Sequence, residues 1–262
     1  MNIRRPRLTT GLLAASLIVS MGAAIAPAAQ ASTESSMTST LLTMINSDRA
    51  AVGLVALRFD SRLATLAGER AGFMAGTGQL SHGQEIGEAV RSVGVTPYLA
   101  GEAIGDTNAT WGVPAVQYIY DLWRGSPQHW ALIVSDRFNY IGIGVAYRSE
   151  SGQTFASLVF AEAPDSSAPA VSITRAGRSG STLTFAWSGQ DGLLQTHTAG
   201  LRDFVVNYRV DNGAWKTLRS GTTATSITLS HRPAGHVYTI AVRARDRRLN
   251  VSPWAVRSIR VP

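Results

Sequence analysis

The residues best suited to chemistry are few and lie far apart. Two of the five histidines precede residue 165: His82, in Leu80-Ser81-His82, and His129, in Ser126-Pro127-Gln128-His129. Glu102 stands between them, in Gly101-Glu102. Two neutral imidazoles and a carboxylate suit zinc or a similar divalent cation. The same trio suits general acid–base work, because imidazole titrates near neutral pH. Histidines held only by backbone carbonyls are the structural alternative, and spacing does not decide among the three. No His-Glu-x-x-His is present, and the side chains come from separate segments. Ser126 and His129 are compatible with a Ser–His dyad. The simpler reading makes Ser126 a helix N-cap and Pro127 the first helical residue. Glu85 and Glu88 read as solvated loop charges. Trp111, Trp123, Trp130 and Tyr140 supply apolar surface for a core or a cleft, and Trp130, beside His129, suits a cleft rim. His197, His231 and His236 show no ligand spacing.

Helical elements must carry these groups. Leu41, Leu42, Ile45 and Val52 lie mostly on one side of a helix that stops at Gly53. Leu63, Leu66, Ala67, Arg70 and Met74 follow a helical period, with Asp60 or Ser61 as cap, and Ser81-His82 falls at that helix's end. Gly101-Glu102 reads as loop. Val116, Ile119, Tyr120 and Trp123 make a third helix with Pro114 in its first turn. Residues 139–147 then alternate, Ser151-Gly152 turns, and 154–160 return as a second strand. Helices followed by a hairpin predict an α+β layered domain. Beyond it come seven short strand-like runs: 171–173, 183–187, 204–210, 215–218, 226–229, 237–245 and 254–261. That pattern predicts an all-β, immunoglobulin-like sandwich.

Charge divides the chain in the same place. Residues 1–31 hold three Arg and no acid; residues 32–165 are net −5; residues 166–262 are net +9. The chain of 262 residues has no cysteine. That excludes a disulfide scaffold, a thiolate zinc site and a thiol nucleophile. Residues 1–31 read as a signal peptide: Arg4, Arg5 and Arg7, an apolar run from Leu12 to Ile25, then Ala29-Gln30-Ala31 before the cut. The run is too short for a membrane span and no later stretch replaces it, so the expected product is exported, with no transmembrane segment. Pro164-Asp165-Ser166-Ser167-Ala168-Pro169 ends one domain: 38–163, a linker over 164–170, and 171–262.

Six words in order carry a resemblance. They are Leu42-x-x-Ile45-Asn46-x-x-Arg49, Leu57-x-x-Asp60-x-x-Leu63, Gly78-x-Leu80-Ser81-His82, Gly101-Glu102-x-Ile104, Trp123-x-x-Ser126-Pro-x-His129 and Ile141-Gly142-Ile143-Gly144-Val145. Residues 38–163 resemble the CAP superfamily (SCP-like; cysteine-rich secretory proteins, antigen 5, pathogenesis-related 1) in its bacterial form. The resemblance implies an α-β-α sandwich with a cleft holding two histidines and two acids. By position these are His82, His129 and Glu102, with Ser126 where the second acid stands and Ala103 where the family has Asn. Residues 171–262 resemble a fibronectin type III module, with Tyr238 at a tyrosine corner, Trp187 as the buried Trp, and Arg243–Arg248 as a basic focus.

The expected function is that of a secreted protein whose cleft (His82, Glu102, Ser126, His129, Trp130) binds a small apolar or amphiphilic ligand. Zinc or another divalent cation would sit on His82, His129 and Glu102. The basic module would act as a spacer or touch an anionic cell-wall or surface polymer. Export and the lack of an aromatic-interleaved RNA-binding motif argue against a nucleic-acid partner. The alternatives are a metal-assisted hydrolase of peptide or wall material, with Glu102 acting on water, and an adhesion protein. Zinc hydrolysis needs three ligands and a further base, which this trio does not supply.

Overall fold

The computed structural model describes residues 27–109 and 111–262. Most of the leader read from the sequence, residues 1–26, lies outside them. In chain order come α1 (Pro27–Ala51), β1 (Arg58–Phe59), α2 (Ser61–Thr77), α3 (Ile86–Ser92), β2 (Leu99–Thr107), α4 (Val113–Gly125), α5 (Pro127–Ile133), β3 (Tyr140–Arg148) and β4 (Gln153–Glu162). The second half is all strand: β5 (Ala170–Ser179), β6 (Thr182–Gln190), β7 (Leu201–Val210), β8 (Lys216–Thr222), β9 (Ser226–Leu229), β10 (Val237–Asp246) and β11 (Ala255–Arg260). No helix among the described residues is long and apolar enough to cross a membrane.

The first domain is three layers thick. Its sheet has the order β1-β3-β4-β2, with β1 parallel to β3 and the other pairs antiparallel. Strand alternation assigns the two faces. Ile141, Ile143, Leu158, Phe160 and Ala103 point to one side, where Met37, Leu41 and Ile45 of α1 meet Val116, Ile119 and Trp123 of α4 and Ile133 of α5. Tyr140, Val159 and Ala161 point to the other, against Leu63, Leu66 and Ala67 of α2 and Ala89 and Val90 of α3. α2 sits directly on β3. A Cβ at Gly142 would fall 2.0 Å from the Leu63 backbone, and one at Gly144 2.2 Å from that of Ala67. The alternating Ile-Gly word thus packs side chains on one face and admits a helix backbone on the other.

Local chemistry accounts for the helix ends. Asp60 caps α2 as expected, accepting from the Arg62 and Leu63 amides at 2.9 and 3.3 Å. Asn46 clamps the chain after α1 through both atoms of Leu57, at 2.7 and 3.1 Å. Arg49 is fully buried and donates to the carbonyls of Val55, Ile133 and Ser135. Burial lowers its pKa to about 10. α1 differs from its sequence reading at both ends: it begins at Pro27, and Val52 lies exposed beyond its last residue. Among its described side chains the first buried one is Met37.

The second domain is a two-sheet sandwich, and all seven expected runs are strands. Sheet order is β11-β10-β7-β8 on one side and β5-β6-β9 on the other. Leu183, Phe185 and Trp187 of β6 pack between the sheets against Phe204, Val206, Tyr238, Ile240 and Val242.

The loop between β6 and β7 docks on the first domain. Leu194 is buried in the same cluster as Leu63 and Leu66. Gln195 accepts from the Val55 amide at 2.7 Å, and Asn139 Nδ2 donates to the Thr196 carbonyl at 3.0 Å. His197 Nε2 lies 2.9 Å from Glu162, with its ring 4.7 Å from that of Tyr98. The Pro/Ser linker is held as well. Asp165 is 3% exposed, and Tyr140 and Ala199 both donate to it.

Candidate functional site

Glu102 is the centre of the site. It lies on β2, not in a loop as the sequence suggested. Gly101 and Gly105 disguise the strand, yet both are needed there: a Cβ on Gly101 would come within 2.9 Å of Leu132, and one on Gly105 within 2.6 Å of Ile119. The strand's alternation turns Glu102 towards α2, where its side chain is only 3% exposed. A buried carboxylate needs charged or hydrogen-bonding partners. Arg70 Nε of α2 donates to Oε1 at 2.8 Å, and His82 Nδ1 bonds Oε2 at 2.7 Å. Ser157 Oγ of β4 lies 3.5 Å from Oε1.

Arg70 is the functional residue that sequence reasoning missed. Its spacing makes it one position of an apolar stripe, and it does lie on that face, with a side chain 9% exposed. A charge inside an apolar stripe was the available signal, since buried Arg is rarely unpaired. Arg70 also donates to the Gln84 carbonyl at 3.3 Å, tying down the loop that carries His82. The guanidinium occupies the space beside Gly83: a Cβ there would lie 1.8 Å from Arg70 Nη1, at a φ of +68°.

His82 is not at the end of α2. The helix stops at Thr77 with Gly78 as cap, and His82 follows in the loop, its side chain 60% exposed. His129 comes from α5, in the opposite helix layer. β2 is an edge strand, so groups from both layers can approach round it. Burial first, then repulsion from His82, holds the His129 pKa below the ordinary imidazole value. A neutral His129 keeps a lone pair for a cation or a donor.

The other sequence candidates divide. Ser126 does sit at the N-cap of α5 with Pro127 next, but its hydroxyl makes no capping bond. Trp130 is partly buried against the core, 5.8 Å from the Arg124 guanidinium. Trp123 is core and donates to the Ile104 carbonyl at 2.9 Å. Trp111 packs on the same core, and Tyr140 is buried at the domain junction, away from the histidines. Glu85 and Glu88 belong to α3, which the sequence reading passed over, and Glu85 caps it through the amides of Gly87 and Glu88. A cleft of about 220 Å³ opens between α2 and α3, beside Arg70, walled by Leu66, Phe73, Glu69 and Gln84.

Among the described residues, the one tight cluster of acids and histidines with ligand spacing lies elsewhere. Asp165, Asp191 and Asp246 meet at the domain junction, with ligand atoms within 4.8 Å of one another. Desolvation, then the neighbouring carboxylates, keeps Asp191 protonated to a higher pH than usual.

The family described as the cysteine-rich secretory protein family, CAP, matches residues 42–160. Those residues form a CAP domain, and His82, Glu102 and His129 all lie within it. Solved structures similar to this chain include an extracellular protein containing an SCP domain from Bacillus anthracis, at 20% identity and a TM-score of 0.46, over 54% of this chain and 45% of that one. Another is an outer surface protein from Borrelia burgdorferi, at 16% identity and 0.43, over 48% of this chain and 91% of that one. A cysteine-rich secretory protein from Staphylococcus aureus matches at 19% identity and 0.38, over 49% and 39%. The chain therefore spans less than half the length of the Bacillus and Staphylococcus proteins. No curated protein matches it.

Proposed function

We propose that this is an exported binding protein, not a hydrolase. Its CAP domain would hold a small amphiphilic ligand, with a divalent cation such as zinc at the histidines. The observation that carries the reading is how Glu102 is used. Both its oxygens are engaged, one by Arg70 and one by His82. A carboxylate buried and engaged on both oxygens is poorly placed to take a proton from water. It can still orient an imidazole. A carboxylate accepts, so Nδ1 of His82 carries the proton and Nε2 presents its lone pair outward. That is the usual support for a metal-binding histidine, and it makes Glu102 an orienting residue instead of a ligand. His82 Nε2 and His129 would then hold the cation, with ligand or water completing its shell. The cleft beside Arg70 offers Leu66 and Phe73 as an apolar wall and Glu69 and Gln84 as polar groups, which would take an amphiphile of modest size.

The leader-like N-terminus supports export. A fibronectin type III reading of the second domain is supported by its sheet order and its buried Trp187. The Tyr238 hydroxyl adds to this, donating to the Pro233 carbonyl at 3.3 Å as a tyrosine corner does. With its net charge of +9 over residues 166–262, this domain would contact an anionic surface polymer.

Calorimetric titration of the chain from Ser32 with zinc near neutral pH tests the site. One bound cation is expected, lost in the His82→Ala/His129→Ala double variant, which keeps its cooperative thermal transition. No zinc binding removes the metal from the proposal. Hydrolysis of a peptide or wall substrate that disappears in Glu102→Ala overturns the binding reading in favour of the enzyme.

A further inference from the structure

The outer face of the β11-β10-β7-β8 sheet carries features that packing does not explain. Trp215 and Trp254 stand on it 42% and 39% exposed, and Val256 is 54% exposed. Between the two indoles lies a groove of about 230 Å³, with Asn207, Ala241 and Val256 as its floor. Register places the floor: Ala241 pairs with Asn207 on β7 and with Val256 on β11. Each indole is backed by an arginine. The Arg209 guanidinium lies 4.8 Å from the Trp215 ring centre, and that of Arg243 lies 4.8 Å from Trp254.

The polar atoms here are unspent. Asn207 Oδ1, Arg209 Nε and Arg243 Nε are buried and have no hydrogen-bond partner. Among the described residues, no carboxylate pairs with Arg209 or Arg243. The domain's acids are used elsewhere: Asp203 pairs with Arg245 and Arg202, Asp211 with His236, and Asp191 and Asp246 face the domain junction. A buried polar group left unpaired is unfavourable. An occupant that offers a donor to Asn207 on the floor and negative charge to the guanidiniums beside the indoles would complement the groove.

We propose that this groove binds a carboxylated sugar, a pyranose ring of an acidic polysaccharide. This deepens the anionic-polymer contact proposed for the second domain by giving it a site and a chemistry. A pyranose presents an apolar C–H face to the indole rings and hydroxyls that donate and accept at its rim. Its carboxylate pairs with guanidinium through charge-assisted, often bidentate hydrogen bonds. The groove lies below the roughly 300 Å³ typical of drug-sized ligands, which fits one sugar unit of a chain passing over an open sheet face. A purely apolar partner would bury Asn207 and both arginines unpaired. A nucleic-acid strand would need a track of unpaired cations along the groove, and Arg245, next on the same face of β10, is already paired with Asp203.

Tryptophan fluorescence and calorimetry on the chain from Ser32 test this, with oligosaccharides of galacturonate, glucuronate and N-acetylmuramate as probes. The controls are neutral maltotriose, poly-glutamate and oligo-dT. At least one carboxylated sugar should bind and shift the tryptophan emission, with maltotriose at least 10-fold weaker. Trp254→Ala and Arg243→Ala should each weaken binding 10-fold or more. Ala241→Leu fills the groove while keeping both indoles, and should abolish binding with the thermal transition retained. Arg247→Ala/Arg248→Ala, in the exposed turn after β10, should change it less than threefold. The proposal is overturned if no carboxylated sugar binds, or if poly-glutamate or oligo-dT binds as tightly. It is also overturned if the Arg247/Arg248 variant loses binding that Ala241→Leu keeps. That last result would leave the general anionic-polymer contact standing and remove only the site. His82→Ala/His129→Ala should leave sugar binding untouched, because that centre is in the other domain.

Discussion

The two domains treat arginine beside apolar surface in opposite ways. In the CAP domain, Arg70 is buried against α2's neighbours and neutralised by Glu102, which in turn holds His82. On the sandwich, Arg209 and Arg243 lie over indole rings and meet no acid among the described residues. The first arrangement is internally satisfied, so its charges are committed to positioning. The second is open, so its charges remain available to a partner. A protein can thus carry one site that is rigid because its polar groups are matched and another that is receptive because they are not.

The largest effect is expected where the matching is broken. Glu102→Ala leaves Arg70 buried and unpaired, and should destabilise the CAP domain by about 3–5 kcal/mol in urea unfolding. A loss below about 1 kcal/mol would mean that Arg70 escapes to water and that the centre is not internally satisfied. Next comes Gly83→Ala, which strains a left-handed residue and pushes Arg70 aside. A cost of about 1–3 kcal/mol is expected, together with weaker zinc binding as the His82 loop shifts.

Arg243→Ala tests the other side of the comparison. It removes only a cation–π contact, so thermal unfolding should register about 1 kcal/mol or less. A loss like that of Glu102→Ala would show that the sandwich arginines are structural. The domain junction offers a third case, in which the carboxylates of Asp165, Asp191 and Asp246 meet. An acid whose folded-state pKa is raised weakens the fold as pH rises through that value, because the unfolded chain ionises first. Asp191→Asn removes this repulsion and should stabilise the protein at pH 7 by about 0.5–1 kcal/mol, a gain that shrinks in acid.

The smallest effect is a matter of pH. His129 has a lowered pKa, so the unfolded chain takes up that proton first as pH falls below 6.5. Its contribution to stability is whole above 6.5 and declines below it. The part of zinc affinity lost to its protonation should likewise appear only below 6.5, as titrations at stepped pH would record.

The reach of the sequence varied by element. Periodic or regularly spaced segments were legible: α2 with its Asp60 cap, α4 with Pro114, the β3–β4 hairpin, and the sandwich strands, which turn signals set apart. Their patterns repeat often enough to separate a period of 3.6 from a period of 2. Short or glycine-broken elements were not. α3 has only seven residues, too few to display a face. β2 reads as loop because glycine is a poor strand former on its own, while here it makes room for Leu132 and Ile119.

The site divides along the same line. Residue types and their order were enough to single out His82, Glu102 and His129, to place them within one domain, and to locate the charge boundary near residue 165. What each touches was decided by tertiary structure. Arg70 meets Glu102 only because α2 lies across the sheet at Gly142 and Gly144, and under the proposed function that contact makes the carboxylate an orienting group. Trp215 and Trp254, 39 residues apart in the chain, share a groove only because β8 and β11 sit on either side of β7 and β10. Local periodicity is written along the chain, residue by residue. Partnership between distant charged groups depends on how sheets and helices stack, and no single segment carries that information.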